Sequence, residues 1–362
     1  GIVLLEINYS FWDQLLHRLV LGSPWVGRIS LDLELLLAGG DQQKLGGPPI
    51  FICGLARAGT TILMRTFYDT GAFRSLTYRD MPFVLMPTIW KRLSQPFHQY
   101  EALKERSHGD RIQVNFDSPE AFEEVFWKTF CADKYIFKDH LKSHQVNEEV
   151  VDQFREFVRQ IVSSKDHPNQ LRYLSKNNNN VLRLDAIQQA FPDALIIIPF
   201  RDPVQQAISL FQQHRQFSAM PEKNRFAHDY MRWLGHHEFG ITHKPFRFGE
   251  NDSVFATNYT PDNVNYWLTI WKNTYRNLLK RASPGSLFVC FEDLCRSPRD
   301  VLLGLFKLAG LSIEECSAGK KIKAPVNREV KNIEAEIKEE ALQIYQNLLT
   351  RAQESTMQVQ ED

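Results

Sequence analysis

Two stretches of the sequence join a cation to a loop that can cradle an anion. The first is Gly54-Leu55-Ala56-Arg57-Ala58-Gly59-Thr60-Thr61, which follows the apolar run Phe51-Ile52-Cys53 and leads into a helical pattern. A glycine-bracketed turn from strand to helix aims successive backbone N–H groups at one phosphate, and the helix dipole adds partial positive charge. A nucleoside-triphosphate loop with this glycine spacing continues with Lys-Ser or Lys-Thr. Here Thr60-Thr61 stand in that place, and the cation is Arg57, inside the loop. A ligand-free glycine turn would carry the same pattern. The second stretch is Arg201-Asp202-Pro203, after the apolar run Ala194–Phe200, with Asp202 placed to cap a helix and Pro203 as its first residue. Ser209 lies eight residues after Arg201, inside that helix. Two anion sites at strand ends suit a nucleotide phosphorylated at both ends, although Arg201 could equally pair with a nearby acid while Ser209 faces water. His236-His237-Glu238 with His243 matches no standard zinc spacing, so it reads as a polar loop and no metal is expected.

These residues need strands and helices to hold them. Apolar runs alternate with helical patterns: Ile50–Cys53 then Thr60–Thr70, Leu171–Leu174 then Val181–Ala190, Ala194–Phe200 then Pro203–Gln216, and Leu287–Phe291 then Pro298–Ala309. That alternation predicts an α/β fold, a parallel sheet with helices on both faces. Helical insertions at about 82–170 and about 218–280 follow strand ends, where ligand specificity usually resides. Residues 1–37 read as apolar helices, and Ile333, Ile337, Leu342, Tyr345 and Leu348 mark a C-terminal helix over about 328–355. With no Gly/Ser/Pro-rich linker, the chain reads as one domain over 1–362 with a core at about 49–312. Its 362 residues are 43% hydrophobic and 24% charged, enough for a sizeable core. The 43 basic and 43 acidic residues cancel, so no broad positive field draws nucleic acid or an anionic membrane. Five scattered cysteines, two of them in apolar strands, read as reduced thiols of a cytoplasmic protein. No apolar run is long enough for a membrane span. The sequence opens on Gly1 rather than Met, which leaves a preceding targeting segment open.

The first stretch resembles the 5′-phosphosulfate loop of the sulfotransferases that use 3′-phosphoadenosine-5′-phosphosulfate (PAPS). Its Arg is most similar to the tyrosylprotein-type and bacterial branch, and Ala58 departs from the usual Ser. The Arg201-Asp202-Pro203 stretch with Ser209 resembles the same family's 3′-phosphate motif in residue types and spacing. Lys176 stands where the family has a Lys-Thr segment, and Phe291-Glu292-Asp293-Leu294 with Ser297-Pro298 is similar to its late strand and helix. The resemblance covers roughly 49–312.

It implies a P-loop-like fold and transfer of a sulfuryl group from PAPS to a hydroxyl of a glycan, lipid or small molecule by in-line displacement. Adenosine 3′,5′-bisphosphate would be the product. Donor binding is implied for Arg57, Ala58, Gly59, Thr60, Thr61, Arg201 and Ser209, and stabilisation of the reacting oxygens for Arg57 and Lys176. No metal, nucleic acid or membrane span is implied. The base is less direct, because Asn178 occupies the place of the His used by the cytosolic branch. In the tyrosylprotein-type branch a carboxylate some way after the loop takes this role, which makes Asp80, in Thr77-Tyr78-Arg79-Asp80-Met81-Pro82, the first choice. Asp80 could equally be a partner of Arg79. Glu120, Glu123 and Glu124 are the reserve near the acceptor, and they also read as acids enriched at a helix start. Lys320-Lys321-Ile322-Lys323 and Arg328 fall where the family covers the 3′-phosphate, or form a solvated run. A P-loop phosphotransferase and a non-catalytic sulfotransferase-like binding module are the rival readings.

Overall fold

Short β-branched and aromatic runs build the centre of the molecule. A computed structural model describes residues 11–38, 44–94, 121–165, 167, 170–219, 232–249, 252, 259–312, 322, 326–329 and 332–361. Five strands, β1 (Ile50–Ile52), β2 (Phe73–Arg74), β4 (Arg172–Lys176), β5 (Leu195–Phe200) and β7 (Leu287–Cys290), pair in the order β2-β4-β1-β5-β7. Every pairing is parallel. The sheet is buried on both faces, which explains why its strands read as nearly continuous apolar runs. Alternate residues divide between two cores. Ile50, Ile52, Leu174 and Ile197 pack on α3 (Thr60–Tyr68) and α10 (Pro298–Leu308) through Leu63, Phe67 and Phe306. Phe51, Tyr173, Ile196 and Ile198 face the larger core, with α5 (Glu148–Ser163), α8 (Val264–Arg281) and α11 (Ala335–Glu361).

The remaining described helices are α1 (Phe11–Leu21), α2 (Pro24–Ala38), α4 (Glu124–Tyr135), α6 (Leu184–Ala190), α7 (Pro203–Ser218) and α9 (Phe291–Arg296). The α/β alternation stands as expected, with three departures. A 3-10 turn, Asn178–Leu182, precedes α6, so the helix expected from Val181 begins later. The C-terminal helix buries Ile337, Ala341, Ile344 and Leu348, a face rotated slightly from the expected one; Leu342 and Tyr345 sit half-buried at its edge. The third departure is a two-stranded parallel ribbon. Leu141–Lys142 (β3), from the first insertion, pairs with Phe246–Arg247 (β6), from the second. The insertions, expected as separate segments, are therefore joined. Among the described residues no helix is long and apolar enough to cross a membrane.

Candidate active site

The phosphate loop is shaped by backbone conformations that few residues tolerate. Gly59 has φ 90°, and a Cβ placed there would lie 2.9 Å from Cδ2 of Phe291, so both the conformation and the space require glycine. Arg57 holds φ 72° despite its side chain. Such a conformation costs about 1–3 kcal/mol in a non-glycine residue and persists where surrounding contacts impose it. The contacts are visible. The Arg57 Nε donates to Ser209 Oγ at 3.0 Å, so the two motifs meet. Behind the loop, fully buried Gln206 donates through Nε2 to the Ala56 carbonyl at 2.9 Å, and its Oε1 accepts from Trp271 Nε1 at 2.9 Å. Sequence reading passed over Gln206, because both partners lie far from it along the chain. Ala58 is fully buried and is not among the residues that line the cleft formed by its neighbours Arg57, Gly59, Thr60 and Thr61.

Arg201 follows β5 and the expected cap is present, with Asp202 Oδ1 accepting from Gln205 N at 2.9 Å ahead of Pro203. The Arg201 guanidinium lies 5.2 Å from the Phe291 ring centroid, and its Nε is 3.8 Å from Glu292 Oε1. Burial lowers its pKa from the ordinary value; Glu292 opposes that shift and the like charge of Arg57 adds to it. An anion between the two guanidiniums would relieve both burial and repulsion. Arg57, Thr60, Thr61, Arg201, Ser209 and Arg328 line one open cleft of about 490 Å³. Arg328 is held there by Gln205, which donates to its carbonyl at 3.0 Å and accepts from its N–H at 2.9 Å; its guanidinium donates to Gln212. Lys320, Lys321 and Lys323 lie outside the described residues.

Lys176 ends β4 in register with Ile52, one strand from the loop; it is not among the residues lining the cleft of Arg57 and Arg201, and its side chain forms no hydrogen bond or ion pair among the described residues. The carboxylates are placed differently from expectation. Asp80 is buried, with Oδ1 2.6 Å from Arg74 Nη2 and Oδ2 accepting from Thr77 N at 2.7 Å. Both oxygens are committed to folding this turn, and the residue does not line the cleft of Arg57 and Arg201. Glu124 is 1% exposed and cannot meet an acceptor. It receives Arg183 Nη1 at 2.7 Å and Nη2 at 3.1 Å, Tyr135 OH at 2.6 Å and Asn177 Nδ2 at 2.7 Å. Glu123 is likewise buried, bound by Trp127, Tyr173 and Asn180. The Asn177–Asn180 run thus supplies amides to buried carboxylates. Glu120 lies outside the described residues.

A second, narrow cleft, with about 30 Å³ of free interior, opens on the other side of the loop at Leu55 and Ala56. The β3–β6 ribbon contributes Leu141 and Phe246, and α8 contributes Trp267 and Ile270. Glu238 is at its edge, its side chain 23% exposed, with Oε1 accepting from Asn178 Nδ2 at 3.1 Å. The neighbouring histidines hold their own loop together. His243 Nδ1 is 2.7 Å from the Glu238 carbonyl and its Nε2 2.9 Å from Tyr266 OH, while His237 Nδ1 is 3.1 Å from the Thr242 carbonyl. Burial lowers both rings, His243 to about 3 and His237 to about 4, so they are neutral near pH 7.

The family model described as the sulfotransferase family matches residues 48–242. Among solved structures, a sulfotransferase of Mycobacterium avium is similar over 95% of this chain and 79% of its own, at 13% identity and a TM-score of 0.48. One of Mycobacterium tuberculosis is similar over 99% and 89%, at 14% identity and a TM-score of 0.43. One of Alicyclobacillus acidocaldarius is similar over 86% and 96%, at 13% identity and a TM-score of 0.37. No curated protein matches.

Proposed function

This chain belongs to the sulfotransferase family, and on that premise we propose that it moves a sulfuryl group from PAPS to an acceptor hydroxyl. The Arg57–Ser209 hydrogen bond carries the reading, since it puts both anion motifs on one cleft. In this reading the backbone N–H groups of Gly59, Thr60 and Thr61 hold the 5′-phosphate end and Arg201 with Ser209 holds the 3′-phosphate. Residues 326–329, which bring Arg328 to the cleft, cover the nucleotide. Arg57 and Lys176 stabilise charge on the sulfuryl and departing phosphate oxygens as the bond to sulfur breaks. A cytoplasmic setting fits the thiols: Cys53, Cys131 and Cys290 are free and buried, and burial, with the Glu123 charge adding, pushes Cys53 up to about 12.

Calorimetry with adenosine 3′,5′-bisphosphate and AMP tests the donor assignment. Charge-assisted contacts are worth about 1.5–3 kcal/mol, so the bisphosphate should bind about 10–100-fold more tightly than AMP. Arg201→Ala should remove most of that difference. Equal affinities in the unsubstituted chain would refute the second anion site.

A further inference from the structure

We infer that the second cleft is the acceptor site, that it takes a hydroxyl borne on an apolar body, and that Glu238 accepts the hydroxyl proton; this rests on the donor reading above. The two clefts share their boundary twice. Ala56 faces the second cleft and Arg57 the first, and on α7 Ser209 faces the first and Leu210 the second. An acceptor in the second cleft therefore meets the phosphate loop from the side opposite the nucleotide, as in-line displacement requires.

Glu238 is the carboxylate that lines this cleft. Its Oε1 is fixed by Asn178, two residues after Lys176, while among the described residues Oε2 has only His236 Nδ1 at 3.9 Å, too long for a hydrogen bond. One oxygen is oriented and the other is left to receive a proton. The acceptor oxygen forms its bond to sulfur as the bond from sulfur to the 5′-phosphate oxygen breaks. The electron pair leaves on that phosphate oxygen, and the acceptor proton passes to Glu238 Oε2. A second observation marks the same place as a polar subsite. Asn178 and Asn179 are each 4% exposed and line the cleft, and the Oδ1 atom of each is buried without a hydrogen-bond partner among the described residues. Such orphaned acceptors are costly unless a donor fills the site, which points to a ligand whose polar end lies at this edge. His237, His243 and Lys244 also line the cleft, and its remaining walls, including Leu141, Leu210, Phe246, Trp267 and Ile270, are apolar. They would desolvate the hydroxyls of a sugar without replacing their hydrogen bonds, and they suit an aromatic or alkyl body.

The test uses the full chain, radiolabelled PAPS and three acceptors: β-naphthol, decanol and methyl glucoside. Transfer to β-naphthol and decanol, with the glucoside at background, is the expected result. Glu238→Gln should lower turnover of β-naphthol by about 10²–10⁴-fold, the range for a positioned base, while calorimetry shows unchanged bisphosphate affinity. Glu238→Asp should recover part of the rate. The inference is overturned by transfer to neither apolar alcohol, by preference for the glucoside, or by near-normal turnover in Glu238→Gln. Loss of rate in His237→Gln alone would also overturn it, as would loss of bisphosphate binding in Glu238→Gln, which would mark a structural carboxylate. Failure of the unsubstituted chain to bind bisphosphate is a different result: it brings down the donor reading, and this inference with it.

Discussion

Arg57 combines a strained backbone with an oriented side chain. Its φ of 72° turns the loop, and its Nε is fixed on Ser209 while the remaining guanidinium donors stay available to a ligand. Lysine has one compact ammonium and cannot do both. We therefore expect Arg57→Lys to behave much like Arg57→Ala. In single-turnover assays both should lower the rate of transfer more than they weaken bisphosphate binding, because the contact strengthens as charge builds on the leaving oxygen. The loss should be at least about tenfold, from a charge-assisted bond of about 1.5–3 kcal/mol. The placement of Arg57, Asp202, Pro203 and Ser209 was legible in the sequence because it depends on local order: a loop, a cap, a helix start, a helical offset. The partners of Asp80 and Glu124 were not legible, because what holds each carboxylate is a cation on another element. Arg74 is on β2 and Arg183 follows the Asn178–Leu182 turn, 59 residues from Glu124. Glu238 was read as part of a polar loop, and only the folded insertion shows it against Asn178.

At the scale of elements, α7 does more than carry Ser209. Through Gln206 it grips the back of the phosphate loop, and through Gln205 it grips the segment holding Arg328. Replacing Gln206 by Leu would leave the Ala56 carbonyl and the Trp271 N–H without their buried partner, each an expensive omission. We expect Gln206→Leu to cost about 1–3 kcal/mol of stability, read by denaturant unfolding, and to weaken bisphosphate binding although the residue does not line the donor cleft. Undiminished bisphosphate affinity would show that the loop keeps its shape without this support. Gly59→Ala should affect the same loop more directly, through Phe291, with loss of bisphosphate binding in calorimetry. The strands and their helices were readable from periodicity, whereas β2, β3 and β6 were not. Two-residue strands carry no period, and they exist only because a neighbour offers a free edge.

For the whole molecule, the Glu124–Arg183 pair is a pin between α4 and the turn before α6. Arg183 is buried between Trp127 and Tyr135, its centre 5.0 Å and 4.7 Å from their rings. Burial alone would raise the Glu124 carboxyl, but Arg183 and the hydrogen bonds of Asn177 and Tyr135 outweigh it and hold the group below its usual range. With the folded value below the unfolded one, the pair contributes fully above the ordinary carboxylate range. That contribution is lost as pH falls through the lowered folded value. Glu124→Gln leaves a buried guanidinium uncompensated and should cost about 3–5 kcal/mol. Thermal melts should show the variant far less stable at neutral pH, with the gap to the unsubstituted chain narrowing in acid. A constant gap across that pH range would contradict the assigned ion pair.

The parallel ribbon of β3 and β6 has a consequence for how this scaffold changes over time and in the laboratory. Leu141 and Phe246 are register partners and both wall the second cleft. A drift in either insertion therefore moves the edge that the other must match. Neither segment can be exchanged alone as an independent cassette: a graft from a homologue that carries only one would leave a strand with nothing to pair. Transplanting the two together, about 82–170 with about 218–280, keeps the ribbon intact and is the unit on which recombination between relatives should act.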